Sequence, residues 1–316
     1  MSKLKGLLLT EGMHGMISQA EGLAKALDLD FIHEKIELNN FWRMIPPKFT
    51  PVQDFVFKNK IKRNFNIVIS CGRKSVIPSI YLKKKLKGKI MNIHIQDPKV
   101  SLNNFDYIVA PEHDCLIGSN VLQSKGAIHY LRDNELAECK SYLKSQINKD
   151  KIVSFIVGGP NKYYNYENNV IEKIFLKIKK NFIDNDYQLI FIPSMRTPKN
   201  IINKAKEYFD YNQIIVQDID KKAYLSSLEL ADHIVVTCDS TSMISEAAIT
   251  GKPIYVAQMP NVKKNERFKK FFKLFESLNI IKNLENTVEK WNYEKLNETV
   301  RISSYIKDQL KNYDFS

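Results

Sequence analysis

The residues best suited to chemistry lie in one run: Val235-Val236-Thr237-Cys238-Asp239-Ser240-Thr241-Ser242-Met243-Ile244-Ser245-Glu246-Ala247-Ala248, continued by Gly251-Lys252-Pro253-Ile254-Tyr255-Val256. The apolar residues from His233 to Val236 read as a buried strand, and the hydroxyl cluster as a loop. A helix follows up to Gly251, and a new strand begins at Ile254. The first turn of such a helix offers free N–H groups and the positive end of the dipole, which suits an anion. Ser240, Thr241 and Ser242 add hydroxyl donors there. Glu246, one to two turns on, has a carboxylate that could accept hydrogen bonds from a sugar. An ordinary capped helix, with Asp239 or Ser240 as N-cap and Glu246 in solvent, fits the same residues.

Other strand-ending loops carry related groups. Gly158-Gly159-Pro160-Asn161-Lys162 offers either close backbone approach to a bound group or a tight turn. Ser194-Met195-Arg196-Thr197-Pro198 opens a helix, and the planar fork of Arg196 suits a diphosphate as well as a surface ion pair. Gln217-Asp218 follows another short strand. Nearer the start, Glu11-Gly12-Met13-His14-Gly15 brings two glycines and a histidine after the first strand. Cys71-Gly72-Arg73-Lys74-Ser75 puts two cations at a helix start, where they oppose the dipole and so suit an anion. His94-Ile95-Gln96-Asp97-Pro98 and Pro111-Glu112-His113-Asp114 end strands with titratable groups; Asp97, Glu112, His113 and Asp114 are candidate general bases, although Asp97 before Pro98 also fits a simple turn.

These loops need a scaffold of alternating strands and helices, and the chain supplies one. Strands are expected at 7–10, 31–36, 66–70, 89–95 and 107–110, then at 152–157, 188–192 and 214–216. Helices are expected at 16–27, after Ser75 with Pro78 in the first turn, and at 132–145, 167–181, 198–208, 222–231 and 291–311. The polar stretch 146–151 reads as a linker. The pattern predicts an α/β protein of two Rossmann-like, doubly wound parallel-sheet domains, with ligands beyond the carboxyl ends of the strands. The expected limits are 1–145 and 146–290, with 291–316 packing back towards the first domain.

Composition narrows the partners. The chain has 316 residues, 44% hydrophobic, enough for two cores. Cys71, Cys115, Cys139 and Cys238 are scattered, and the six histidines show no ligand spacing, so neither disulfides nor a metal is expected. No stretch approaches the roughly 20 apolar residues of a membrane span, and the N-terminus does not read as a signal peptide. A cytoplasmic location is expected, with peripheral attachment to the inner membrane as one extension. The net charge of +13 fits an anionic substrate or an anionic membrane surface, or coding bias towards Lys, Asn and Ile. Its basic runs, 58–63, 83–87, 263–264 and 269–270, lack the Gly-aromatic pattern of an RNA-binding sheet, so nucleic acid is not expected. There is no G-x-G-x-x-G, no P-loop, no G-x-S-x-G and no D-x-D.

Taken in order along the chain, these segments resemble the mitochondrial-fission "elongated mitochondria" proteins of plants and their bacterial relatives. The resemblance is carried by Met13 to Ala24, Ser70 to Ser75, Gln96-Asp97-Pro98, Pro111 to Asp114, Gly158-Gly159-Pro160, Ser194 to Pro198 and Thr237 to Pro253. It implies a GT-B glycosyltransferase-like fold, its two domains facing a central cleft, with 1–145 as the acceptor-side domain and 146–290 as the nucleotide-diphosphate-sugar-binding domain. The Ser-rich turn and its Glu are similar to the donor sites of lipid-linked N-acetylglucosamine transferases and of UDP-N-acetylglucosamine 2-epimerase. By that similarity Ser240, Thr241 and Ser242 would hold the donor diphosphate and Glu246 the ribose. Gly12, His14 and Gly15 would lie in the acceptor-side loop with His14 as base, and Arg73, Lys74 and Asp97 on the same side.

The expected function is a metal-independent glycosyltransferase. It would use a nucleotide-diphosphate sugar as co-substrate, no other cofactor, and a membrane- or envelope-associated, lipid-linked acceptor. Catalysis would fall to His14, Glu112, His113 or Asp114, and donor binding to Gly158, Gly159, Arg196 and the Ser240–Glu246 turn. Two alternatives stand beside it: a non-catalytic recruitment protein with a protein partner, as the plant members are known, and a nucleotide-sugar epimerase.

Overall fold

The computed structural model describes residues 3–59, 61, 64–285 and 287–315, so Lys60, Lys62 and Arg63 of the 58–63 basic run lie outside the described residues. The first elements are β1 (Lys5–Thr10), α1 (His14–Ala26), β2 (Asp30–Lys35), α2 (Asn40–Met44), β3 (Ile67–Cys71), α3 (Val76–Lys85), β4 (Met91–Ile95), β5 (Tyr107–Pro111) and β6 (Val121–Ser124). Then come α4 (Asp133–Cys139), α5 (Ser141–Lys144), β7 (Lys151–Val157), α6 (Asn168–Asn181), β8 (Tyr187–Pro193), α7 (Lys199–Tyr208), β9 (Ile214–Ile215) and α8 (Lys221–Leu230). The last are β10 (His233–Thr237), α9 (Thr241–Ala247), β11 (Ile254–Ala257), α10 (Glu266–Ser277), β12 (Ile281–Asn283) and α11 (Glu298–Leu310).

Two compact units result, one of residues 1–130 and 297–316, the other of 131–296. The first holds a sheet of order β2-β1-β3-β4-β5-β6, the second one of order β12-β11-β10-β7-β8-β9, and every pairing is parallel. These are two Rossmann-like parallel-sheet domains of the GT-B kind. The near-continuous apolar strands follow from burial on both faces. In the first unit Leu8, Ile67, Ile69 and Ile93 meet Ala20, Leu23 and Ala24 of α1 and Ile302 and Ile306 of α11. Leu7, Leu9 and Val68 point the other way, onto Val76, Ile77 and Ile80 of α3. Gly22 lets α1 approach the chain at His129, whose carbonyl a Cβ would meet at 2.4 Å.

The unit boundary falls after Tyr130, not at 145. The expected helix over 132–145 is two short helices, α4 and α5, and both pack on α8 of the second unit. The break has a cause. Ser226 Oγ of α8 donates to the Lys140 carbonyl (3.2 Å) and accepts from Leu143 N–H (3.1 Å), entering the helix ladder at that turn. The expected linker 146–151 therefore lies inside the second unit. The last helix starts at Glu298 and not at 291, because Asn297 caps it by accepting from Val300 N–H at 3.3 Å. Residues 291–296 stay with the second unit, where Trp291 packs edge-on to Tyr255 and Leu296 N–H bonds the Ala248 carbonyl.

Candidate functional site

Because the strands of the second sheet are parallel, the loops after β7, β8 and β10 leave from one edge. Asp239 ties them together. Its side chain is wholly buried, and Oδ2 accepts from Gly159 N–H at 3.1 Å and from Arg196 Nη2 at 2.7 Å. Oδ1 accepts from Tyr166 Oη at 2.5 Å and from Thr237 Oγ1 at 2.7 Å, and the Asp239 carbonyl accepts from Asn161 Nδ2 at 3.2 Å. A buried carboxylate requires such saturation, since an unpaired charge there is costly. Burial and the neighbouring Asp239 carboxylate hold the Tyr166 phenol far above its ordinary value, so it serves as a fixed donor.

The two glycines after β7 are explained by this cluster. A Cβ on Gly158 would sit 2.2 Å from Asp239 Oδ2, and one on Gly159 would sit 1.9 Å from the Arg196 carbonyl. The space they leave is filled by protein and not open to a bound group, which corrects the expectation of close ligand approach at these two positions. Arg196 spends Nη1 on the Gly159 carbonyl at 2.7 Å and Nη2 on Asp239, while its side chain remains 36% exposed. Thr197 Oγ1 closes the turn by donating towards the carbonyls of Val157 and Gly158, at 2.8 and 2.7 Å.

The hydroxyl turn follows directly. Ser240 is the N-cap of α9 and accepts from Met243 N–H at 3.4 Å; Thr241 and Ser242 stand half-buried in the first turn. Glu246 is also half-buried, and Tyr224 Oη of α8 donates to its Oε2 at 2.8 Å. Burial pushes the Cys238 thiol up to about 12, so this cysteine stays protonated and is no nucleophile at neutral pH.

In the first unit the expected residues are less concentrated. Gly12 takes φ +84° after β1, with its N–H on Thr10 Oγ1 at 3.0 Å. His14 is exposed at the start of α1, beside Gly15. Lys74 pairs with Glu11 at 3.0 Å. Arg73 donates Nη2 to the carbonyls of Arg43 and Ile45, at 3.1 and 2.8 Å. Both cations thus have partners within the protein. Asp97 closes a turn by accepting from Lys99 N–H at 2.9 Å. Glu112 is exposed, Asp114 half-buried, and the His113 side chain only 1% exposed. His113 as placed is therefore sealed from any acceptor, against its expected role as a base.

In the sequence Asp239 reads only as a helix cap and Thr237 only as part of the run before it, and nothing singles out Tyr166 or Tyr224. Asp239 carried a signal nonetheless: an acid directly after a buried strand, opposite an Arg-bearing loop. Tyr166, in the loop before α6, and Tyr224, on α8, carry none. Among the described residues no group of three or more His, Cys, Asp or Glu is gathered as metal ligands, and no helix is long and apolar enough to cross a membrane.

The chain is similar in fold to solved UDP-GlcNAc 2-epimerases. For the Methanocaldococcus jannaschii enzyme the TM-score is 0.52 at 15% identity, covering 96% of this chain and 100% of that one. For the Neisseria meningitidis enzyme, described as bound to UDP-GlcNAc, it is 0.54 at 13% identity, covering 98% and 100%. At such identity the likeness concerns the fold alone. In sequence the chain is 24% identical over 286 residues to the uncharacterized protein RP120 of Rickettsia prowazekii, covering 78% of this chain and 80% of that one. It is 24% identical over 272 residues to mitochondrial fission protein ELM1 of Arabidopsis thaliana, covering 77% of this chain but only 64% of the plant protein. The pattern of the family described as Mitochondrial fission ELM1 matches residues 14–310, nearly the whole chain, and the chain belongs to that family.

Proposed function

We propose that the protein binds a nucleoside-diphosphate sugar at the loop edge of the second sheet and transfers the sugar to an acceptor hydroxyl without a metal ion. The observation that carries this reading is Glu246, half-buried and oriented by Tyr224, one turn beyond the half-buried Thr241 and Ser242. In this arrangement the two hydroxyls and the first-turn N–H groups of α9 donate to the diphosphate, and the Glu246 carboxylate accepts from the ribose hydroxyls. The UDP-GlcNAc held by the Neisseria neighbour, on a shared fold, supports that ligand class.

In the transfer step the acceptor oxygen bonds to the anomeric carbon as the bond from that carbon to the diphosphate oxygen breaks. The acceptor proton passes to a base; of the expected candidates His14 and Glu112 are exposed and Asp114 half-buried. Negative charge develops on the departing diphosphate, and prearranged donors are worth most where charge develops. Arg196, part-exposed, adds positive charge that its Asp239 partner tempers.

A binding role without chemistry is the second reading. It is favoured by that same pairing, which commits the Arg196 fork to Asp239 and the Gly159 carbonyl.

Calorimetric titration with UDP, GDP, CDP and TDP and their sugars, without metal, tests the proposal. Micromolar binding of one nucleotide, lost in folded Glu246→Ala protein, is the expected result. No binding of any nucleotide by folded protein overturns it in favour of the second reading. Product formed from the donor sugar alone, with no acceptor, would instead make the protein an epimerase.

A further inference from the structure

Among the described residues the sheets end in β2 and β6 in the first unit and in β12 and β9 in the second. Three of these edges are guarded against pairing: β2 carries Asp30, Glu34 and Lys35, β12 carries Lys282, and β9 is only two residues long. The fourth, Val121-Leu122-Gln123-Ser124 of β6, holds no charge. A groove of about 710 Å³ opens beside it, within the range of sites that bind ligands. Leu122 packs with the α1 and α11 side of the sheet and Val121 with the α3 side, yet both line the groove. The groove therefore runs along the edge of β6 and not over either face. Ile302 and Tyr305 of α11 form one wall, and Leu116 and Ile117 the other. Ile117 is 85% exposed and Tyr305 46%, so apolar surface flanks the open edge.

The hydrogen bonds along β6 define what fits there. The Asn120 carbonyl accepts from Ile108 N–H of β5 at 2.9 Å. By alternation the main-chain groups of Leu122 also face β5, and those of Val121 and Gln123 face the groove. Two of these four are spent. Val121 N–H bonds the Gly118 carbonyl at 3.1 Å, and the Gln123 carbonyl accepts from Arg301 Nη2. The Val121 carbonyl and the Gln123 N–H remain, one on either side of Leu122. An antiparallel neighbour bonds both main-chain groups of one residue, and neither Val121 nor Gln123 has both to offer. A parallel neighbour bonds the carbonyl of one residue and the N–H two positions on, through a single residue of its own. That pair is the one left open. Two copies of the chain related by a two-fold axis would set β6 against itself antiparallel, so a second copy does not match this edge.

Charge narrows the occupant further. Lys125 and Arg301 line the groove together with Glu112, and Glu298 stands behind them. Glu298, 5% exposed, accepts from Arg301 Nε at 3.1 Å and from Lys125 N–H at 2.8 Å. Two cations thus meet two acids, and the balance suits a segment without net charge. Main-chain pairing supplies affinity in such a groove, and the apolar walls select the side chains. We propose that β6 takes up an extended, uncharged and largely apolar segment of a partner protein as one more parallel strand. One residue of that segment donates its N–H to the Val121 carbonyl and accepts from Gln123 N–H. This inference is independent of nucleotide binding.

Short random peptides displayed on phage and selected on the immobilised full chain supply the probe. The most enriched one, made synthetically, is measured by fluorescence anisotropy. It should be uncharged with alternating apolar residues, and its binding should not change with salt. Gln123→Pro removes the outward N–H where an edge strand tolerates proline, so the protein should keep its circular dichroism and bind about tenfold more weakly. Gln123→Ala keeps that N–H and should bind nearly as well as the unsubstituted protein. Ile117→Ser, which loses a wall side chain already in water, should fold and bind several-fold more weakly. N-methylation of the peptide at successive positions should cost about tenfold at one amide, the donor to Val121. Failure of any peptide to enrich overturns the inference, as does equal binding by folded Gln123→Pro or Ile117→Ser protein or by every N-methylated peptide. A loss in Gln123→Ala equal to that in Gln123→Pro would assign binding to the side chain and overturn it. Self-association lost in Gln123→Pro would seat a second copy on the edge, and salt-sensitive binding of acidic peptides would move recognition to Lys125 and Arg301; either overturns it equally.

Discussion

Arg196 Nη2 lies 2.7 Å from Oδ2 of Asp239, a carboxylate with no exposed surface of its own. The pair joins the loop after β8 to the loop after β10, and Gly159 N–H brings in the loop after β7. Removing one partner of a buried pair costs about 3–5 kcal/mol. Arg196 is partly in water, which screens its share, so Asp239→Asn should lose about 2–3 kcal/mol in urea denaturation. A loss under about 1 kcal/mol would show that the three loops hold their places without the charge.

The glycines after β7 give a sharper steric test. Gly159→Ala places a methyl 1.9 Å from the Arg196 carbonyl, which is backbone and cannot swing aside. Overpacking of this kind costs about 1–3 kcal/mol or more and displaces the β8 loop with it. Gly88→Ala is the comparison: nothing lies within 4 Å of its Cβ, and only φ +81° opposes it. The Gly159 variant should be the less stable of the two by thermal denaturation. Equal melting temperatures would mean that the β8 loop yields freely.

Tyr224 aims Glu246, and the proposed donor site depends on that aim. Tyr224→Phe removes one hydroxyl to carboxylate bond worth about 0.5–1.5 kcal/mol or somewhat more because the acceptor is charged. Nucleotide affinity should fall about three- to tenfold, with global stability changed by less than about 1 kcal/mol. Affinity equal to that of the unsubstituted protein would free Glu246 from any need of Tyr224.

Much of this architecture is legible because a parallel sheet covered on both faces needs runs of apolar residues, and such runs stand out. Ile67 to Cys71 and His233 to Thr237 are fully buried and fall within a residue of where the sequence places them. Helix α10 goes unread despite Phe268, Phe271, Phe272 and Phe275 at helical spacing, and the short edge strands β6 and β12 offer too few residues to show a period. In the site, the Ser240 to Glu246 turn is visible because it is contiguous. Its supports are not: Tyr166 lies 73 positions from Asp239, and Tyr224 lies 22 from Glu246. Only folding brings such pairs together, and so the Arg196 loop reads from sequence as an anion site when both Nη groups of its fork already bond partners inside the protein.

Histidine 94 predicts how the first unit responds to acid. His94 sits mid-sheet on β4, 1% exposed, with Nδ1 at 2.8 Å from Ser70 Oγ and its ring against Phe105. Burial holds it down to about 3, so it stays neutral in the folded protein while the unfolded chain takes up a proton below about 6.5. Between those values the unfolded state binds more protons, so stability rises with pH there. It is complete above about pH 7 and drains away as the pH falls towards 3. His94 alone should cost about 2 kcal/mol between pH 7 and pH 5. His233, also held below its ordinary value by burial, titrates in every variant and cancels from a difference. Urea denaturation of the protein and of His94→Asn at both pH values isolates the effect. The substituted protein should lose about 2 kcal/mol less over that interval, whatever its stability at pH 7. Parallel losses in the two proteins would mean that His94 takes up its proton without unfolding, and that the strand around Ser70 opens to water more readily than its packing implies.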